Sequence, residues 1–304
     1  MKLVSVGTVA FDTIETPYGK AERVVGGAAT YISLAASYFT KELGLVSVVG
    51  DDFPNEELKY MEKRGINLEG LQIKEGEKSF FWAGRYHNNM NSRDTLDTQL
   101  NVLADFKPKL PASYRNAKFL MLGNLTPEIQ GKVIGQMKSR PKLIVMDTMN
   151  FWMDIAMPAL KKTIKKVDVL TINDEEARQL SGEYSLVNAA KAIHKMGPKV
   201  LVIKKGEHGA LLFYNNKMFF APAMPLAQVY DPTGAGDTFA GGFIGYLAKA
   251  NSTTFENMKR AVIYGSTLAS FCVEEFSIAR LKRLKQSEVN KRVKEFEKLT
   301  KFTM

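Results

Sequence analysis

Short, uniformly apolar runs alternate along the chain with longer stretches of helical period. Lys2–Val6, Gly44–Val49, Phe119–Leu122, Leu143–Met146, Val167–Thr171 and Val200–Lys204 read as strands buried on both faces. Between them, Ala28–Phe39, Asn55–Arg64, Pro127–Met137, Trp152–Lys165, Asp174–Gln179 and Leu186–Met196 carry the helical pattern. Strands this apolar, separated by helices, predict an α/β fold with a mostly parallel sheet covered on both faces. Residues 68–101 break the rhythm. They are rich in Phe, Trp, Tyr, Thr and Asn, alternate in the run KSFFWAGRYH, and have no helix between their strands. With the stretch 13–25 they predict a small antiparallel sheet set beside the main body. No internal repeat or Pro/Ser-rich linker separates it, so residues 1–304 read as one domain with an inserted sheet.

Composition narrows the class. The 304 residues are 45% hydrophobic and 24% charged, which excludes disordered, collagen-like and coiled-coil readings. A lone cysteine, Cys272, rules out an intrachain disulfide and a cysteine-based zinc cage, and His87, His194 and His208 have no metal-site spacing. A reducing, cytoplasmic setting is expected. No run reaches the roughly 18 apolar residues of a membrane span, and the opening MKLVSVGTVAFD lacks a signal-peptide pattern, so a soluble chain without a membrane partner is expected. The net charge of +10 is concentrated at the end: residues 279–304 hold nine Lys or Arg against three Glu. Val289, Val293 and Phe296 keep helical spacing there, which reads as a solvated amphipathic closing helix rather than a nucleic-acid surface.

The chemistry lies in DPTGAGDTFAGGF, residues 231–243. Asp231-Pro232 signals a turn, Gly234-Ala235-Gly236 follows, and Phe239, Phe243 and Leu247 then take up a helical period. A glycine loop running into a helix N-terminus exposes unpaired N–H groups at the positive end of the helix dipole, an anion site suited to a phosphoryl group. Asp237, in the first turn, reads either as a capping carboxylate or as the acceptor of a proton from an attacking hydroxyl. Neither G-x-x-x-x-G-K-[ST] nor G-x-G-x-x-G after the first strand is present, so this late loop would have to hold the phosphates.

This motif closely resembles the C-terminal signature of the ribokinase-like (PfkB) family of sugar and nucleoside kinases, and the likeness in motif order and length extends over essentially the whole chain. The resemblance implies a ribokinase-like α/β sheet, a β lid, and transfer of the γ-phosphoryl group of ATP, with Mg2+, to an alcohol of a sugar or sugar derivative. A nucleoside acceptor is the alternative, and a non-catalytic sugar- or nucleotide-sensing protein a remote one. Matched residue by residue, it makes Asp237 the base and Gly234, Ala235 and Gly236 the anion hole. Asp12 falls where the family binds sugar hydroxyls, and Gly26-Gly27 where a glycine pair lets the sugar approach the backbone. Asn173 and Glu176 match the N-x-x-E element that orders magnesium through water, and Gly206 and Gly209 the nucleotide-side turn. Lys204 and Lys205 replace residues usually uncharged and are candidate phosphate contacts. Asp231 and Thr233 match positions associated with a monovalent cation such as K+. Asp147 and Asn150 resemble a family segment near the phosphates. Tyr31 stands where the family usually has a sugar-binding asparagine, so it is expected on the acceptor side. The lid aromatics Phe81, Trp82 and Tyr86 are candidates to stack on a base or sugar, and Arg93 and Asn124 to contact substrate. A homodimer through the exposed lid sheet is expected.

Overall fold

A computed structural model describes residues 1–301. The chain opens with β1 (Leu3–Val6), β2 (Ala10–Thr16), β3 (Gly19–Gly26) and α1 (Ala28–Ala36). It continues through β4 (Leu43–Gly50), α2 (Asn55–Lys63), β5 (Ile66–Lys74), β6 (Phe80–Tyr86) and β7 (Arg93–Gln99). The middle holds β8 (Phe119–Leu122), α3 (Pro127–Gly135), β9 (Leu143–Asp147), α4 (Asn150–Ile155), α5 (Met157–Ile164) and β10 (Val169–Asn173). Then come α6 (Asp174–Ser181), α7 (Leu186–His194), β11 (Val200–Lys204), β12 (Ala210–Tyr214) and β13 (Lys217–Ala221). Four helices close the chain: α8 (Ala235–Ala250), α9 (Phe255–Cys272), α10 (Ala279–Arg283) and α11 (Gln286–Thr300).

Among the described residues the main sheet has nine strands in the order β13-β12-β11-β10-β9-β8-β1-β4-β5. Pairing is parallel from β5 to β11, and β12 and β13 add an antiparallel edge. One apolar cluster joins the sheet to α1, α8 and α9, and a second fills the opposite face beneath α5, α6 and α7. The helices lie on both faces because right-handed crossovers add β4 and β5 on one side of β1 and β8 to β11 on the other. All the parallel strands therefore point their carboxyl ends the same way, where open α/β sheets carry their ligands.

Helix α8 runs tight against its neighbours. A Cβ at Gly241 would stand 2.3 Å from the carbonyl oxygen of Ile32, so the glycine is there to let α1 and α8 touch backbone to backbone. That close packing offsets the roughly 1 kcal/mol by which each helical glycine falls short of alanine.

Three elements differ from the sequence reading. The strand expected at Val167–Thr171 begins two residues later, because the Asp168 carboxylate accepts from the Ile144 N–H and the Arg140 guanidinium and ends the turn there. The helix expected over Trp152–Lys165 is broken at Ala156 (φ −138°, ψ 27°): Pro158 lacks an N–H and collides with a preceding carbonyl, so it can stand only in the first turn of a new helix. The small sheet takes up only the later part of the 68–101 range, from Phe80 on. Residues Ile66–Lys74 pair in parallel with β4 at the edge of the main sheet, as expected of a strand that follows a crossover helix. The small sheet itself runs β3-β2-β6-β7, with two antiparallel pairings around a parallel β2–β6 pair.

Candidate active site

The strands β9, β10 and β11 end in Asp147, Asn173 and Lys204, side by side. Lys204 Nζ lies 2.8 Å from Asp147 Oδ2, their side chains 17% and 8% exposed. The Thr148 N–H and the Thr171 hydroxyl also donate to Asp147, so both its oxygens are engaged. Asn173 caps α6: its Oδ1 accepts from the Glu176 N–H at 2.7 Å, and Glu176 Oε2 accepts from the Asn173 N–H at 2.7 Å. This reciprocal box fixes Glu176 at the end of the sheet. Burial pushes the Glu176 carboxyl up to about 7, against the pull of Lys204. Lys204 is itself held above its ordinary value: burial works against its charge, but Asp147 and Glu176 outweigh it.

The residues 231–237 loop faces this row. Gly234 takes φ 74°, the left-handed region, and caps α8. Asp231, fully buried, accepts from the Thr233 N–H at 2.8 Å and from the Ser277 N–H at 2.9 Å, which fixes the turn before the helix. Burial raises the Asp231 carboxyl pKa. Asp237, in the first turn of α8, is pushed up to about 7, chiefly by burial and then by Asp147, with Lys204 and Arg93 opposing. A Cβ at Gly236 would stand 3.1 Å from Lys204 Nζ, so the ammonium group reaches the glycine loop.

On the other side, Asp12 is 5% exposed and also pushed up to about 7, by burial first and then by Asp231 and Asp237. Gly26 must lack a side chain here, since a Cβ would lie 1.9 Å from Asp12 Oδ2. Gly27 (φ 91°) turns the chain into α1. The lid continues this face. Asp12 pairs with Trp82, and Tyr86 with Arg93, so all four share one side of the small sheet. The Thr233 hydroxyl donates to the Tyr86 hydroxyl at 3.3 Å, joining lid and loop.

A cavity of about 500 Å³ opens on the far side of the loop. Gly206, Gly209 and Lys204 form one wall, and the apolar residues Met224, Leu226 and Val273 another. Lys205 is half-buried beside it, at the turn of Gly206. The run APAMPL at 221–226 was the sequence signal for the apolar wall: prolines in an apolar stretch fit neither a strand nor a helix. The lid turn at Asn89–Asn91, which also lines the cavity, carried no such signal.

Four expected site residues sit differently. Tyr31 is 1% exposed and packed beneath the loop: a Cβ on Gly234 would meet its ring at 2.4 Å. Its ring has no free face for an acceptor, and its hydroxyl has no hydrogen-bond partner among the described residues. Asn124 is anchored, accepting from Trp152 Nε1 at 2.8 Å and donating to the Met149 sulfur at 2.9 Å. Phe81 packs against the main core. Asn150, at the start of α4, is exposed.

Among the described residues no three or more His, Cys, Asp or Glu side chains are placed to hold a metal ion. Magnesium needs no such cage, since it keeps several waters and is held by one or two carboxylates with substrate phosphates. The carboxyl groups of Glu176, Asp147 and Asp237 crowded around Lys204 fit that mode. No helix among the described residues is long and apolar enough to cross a membrane.

The segment Val273–Ser277 ties these parts together. The Ser277 hydroxyl donates to the Val25 carbonyl of the lid, while its N–H holds Asp231. Glu274 is gripped by Arg280 at 2.8 Å and Arg292 at 2.7 Å.

Known proteins resemble this chain in sequence and fold. The chain is 30% identical over 249 residues to the cytidine kinase of Thermococcus kodakarensis, covering 80% of this chain and 87% of that one. It is 26% identical over 291 residues to a nucleoside kinase of Methanothermobacter thermautotrophicus, covering 90% and 89%. The solved nucleoside kinase of Methanocaldococcus jannaschii superimposes with a TM-score of 0.77 at 20% identity, over 97% of this chain and 99% of the other. Residues 1–282 match the pattern of the pfkB family of carbohydrate kinases. With the glycine loop at a helix start, the acidic row at the sheet ends and the lid in one place, the chain belongs to the pfkB family, as a sugar or nucleoside kinase that moves a phosphoryl group from ATP to an alcohol.

Proposed function

We propose that the protein is a nucleoside kinase that phosphorylates a hydroxymethyl group of its acceptor, with Asp237 as the base. The observation that carries the reading is the Asp237 carboxyl, held in the first turn of α8 between the lid face and the 500 Å³ cavity and pushed up to about 7 by burial. A carboxylate with that affinity accepts a proton at neutral pH far more readily than an ordinary aspartate. The acceptor oxygen forms its bond to the γ-phosphorus as its proton passes to Asp237, and the bond to the bridging oxygen of the leaving ADP breaks. The N–H groups of Gly234 and Gly236, at the positive end of the α8 dipole, stabilise the charge on the transferring group, while the Ala235 N–H closes the turn onto the Pro232 carbonyl at 3.2 Å. Asp12, freed for close approach by Gly26, orients the acceptor's hydroxyls. Magnesium would be held through water at Glu176 and Asn173 and would neutralise phosphate charge. Gly206, Gly209 and Lys205 border the donor, whose base would lie against the apolar wall of the cavity.

The nucleoside reading is favoured over a simple sugar by Trp82, half-buried, which pairs with Asp12 across β2 and β6 on the lid's inner face and lays its indole over Gly84. An aromatic plane beside a hydroxyl-binding carboxylate suits a ribose with a base attached. The identity to the cytidine kinase supports it. The test is a panel of nucleosides and free sugars with ATP and magnesium, followed by ADP release. Turnover of cytidine or another nucleoside well above ribose and fructose is expected; a preference for a free sugar overturns the nucleoside assignment. Asp237→Asn should lower kcat by about two to four orders of magnitude while leaving the melting temperature near that of the wild type. Near-normal turnover would remove Asp237 as the base.

A homodimer joined through the lid belongs to the same reading, because β7 is exposed along its whole length, Leu96 within it and Leu100 just after it included. Light scattering of the purified protein at the monomer mass would exclude it.

A further inference from the structure

The two ends of the lid face different halves of the site. Asp12 and Trp82 lie toward the acceptor, but the turn joining β6 to β7 reaches past them and lies over Gly206. A Cβ at Gly206 would stand 2.6 Å from Asn91 Oδ1. Asn89, Met90 and Asn91 share the wall of the 500 Å³ cavity with Gly206 and Gly209.

The turn is built for this approach. Asn89 Oδ1 accepts from the N–H groups of Asn91 and Ser92 at 3.1 and 3.0 Å and from the Ser92 hydroxyl at 2.9 Å. Met90 takes φ 55°, left-handed backbone that costs a methionine strain. Held this way, the turn presents the Asn91 carboxamide, which makes no hydrogen bond of its own among the described residues. An amide offers two donors and an acceptor, the groups that bind ribose hydroxyls and phosphate oxygens.

We propose that the lid tip is part of the donor site, with the Asn91 carboxamide hydrogen-bonding the ribose–phosphate stretch of a bound nucleoside triphosphate. The inference rests on the kinase reading above and extends it. The hairpin that carries Asn91 at its tip carries Trp82 and Arg93 on its strands, so one rigid element meets both substrates. Donor and acceptor then strengthen each other's binding, and by linkage the enhancement is the same in either direction.

The test uses titration calorimetry on the wild type, Asn91→Ala and Asn91→Asp, with a non-hydrolysable ATP analogue and with cytidine, each alone and in the presence of the other. Because the Asn91 side chain supports nothing else, the variants should keep the wild-type melting temperature. Asn91→Ala is expected to weaken the analogue about three- to tenfold, the worth of one net hydrogen bond. It should leave cytidine alone unchanged and reduce the mutual enhancement. Asn91→Asp should be weaker still, through repulsion of the phosphates. Equal affinity of the wild type and Asn91→Ala for the analogue overturns the lid-tip proposal and leaves the kinase reading standing. A wild type that binds no analogue at all overturns both.

Discussion

Replacing Lys204 by methionine would test the electrostatics of the site most directly. The side chain keeps its length and loses its charge. Its ammonium lies 2.8 Å from Asp147 Oδ2 with both groups largely buried. Removing one partner of such a pair costs about 3–5 kcal/mol, because the other charge is left uncompensated. Asp147 retains the Thr148 and Thr171 donors, which puts the expected loss near the bottom of that range, about 3 kcal/mol. At 2–4 °C for each kcal/mol, the melting temperature should fall on the order of 6–12 °C. The second effect is on protonation. Lys204 restrains Asp237 and Glu176, both already pushed up to about 7 by burial. Without it both rise further. A base works only when deprotonated, so the acid limb of the rate profile moves to higher pH. Below the midpoint, each pH unit that the midpoint climbs costs about tenfold in kcat/KM, and far above it almost nothing. The assay is kcat/KM for cytidine from pH 5.5 to 9.5 with saturating ATP. The expected variant is poor at pH 6 and close to the wild type at pH 9. A loss by the same factor at every pH, with the limb unmoved, would refute the account of Lys204 as the group that sets the base.

Tyr31→Phe should leave acceptor ranking unchanged and stability equal or higher, since the hydroxyl it removes is buried without a partner. Tyr31→Asn should destabilise by about 3–5 kcal/mol through the cavity left beneath Gly234; thermal melts of the two variants check both, and an altered acceptor profile in Tyr31→Phe would contradict the packing role. In the ligand-free protein, Asp12, Glu176 and Asp237 bind protons up to about pH 7, well above their unfolded values. The folded chain therefore holds more protons than the unfolded chain between about pH 4 and 7, and its stability should fall as pH rises through that window and level off above it. Melting temperatures at pH 5.5, 6.5 and 7.5 follow this directly, and a fall towards pH 5.5 would count against it.

The sheet was legible because Leu3–Val6, Phe119–Leu122 and Leu143–Met146 are apolar on both sides, a pattern that only a covered parallel strand needs. Ile66–Lys74 was misplaced because its polar positions mimic a half-exposed lid strand, although the helix before it already required a parallel return. Gly234 and Asp237 could be found from spacing, since a loop entering a helix is a local event. Tyr31 could not. Four residues beyond Gly27 it lies on the correct helix, but which flank its ring covers depends on Gly234, some two hundred positions later. The lid tip was hidden for the same reason: nothing near Asn91 in the chain announces that Gly206 will lie beneath it.

The hold of Arg280 and Arg292 on Glu274 changes the meaning of the basic tail. Of its nine basic residues, Arg280, Lys282, Arg283 and Arg292 are matched with Glu274, Glu57 and Glu275 of the protein itself. The field offered to an outside polyanion is weaker than the formal charge implies. Inside, those arginines act as a tie-rod. They anchor a segment whose other end, Ser277, grips both the lid at Val25 and the loop at Asp231. A chain cut before residue 279 would keep every residue of the glycine loop and yet lose the brace that holds the lid in register with it.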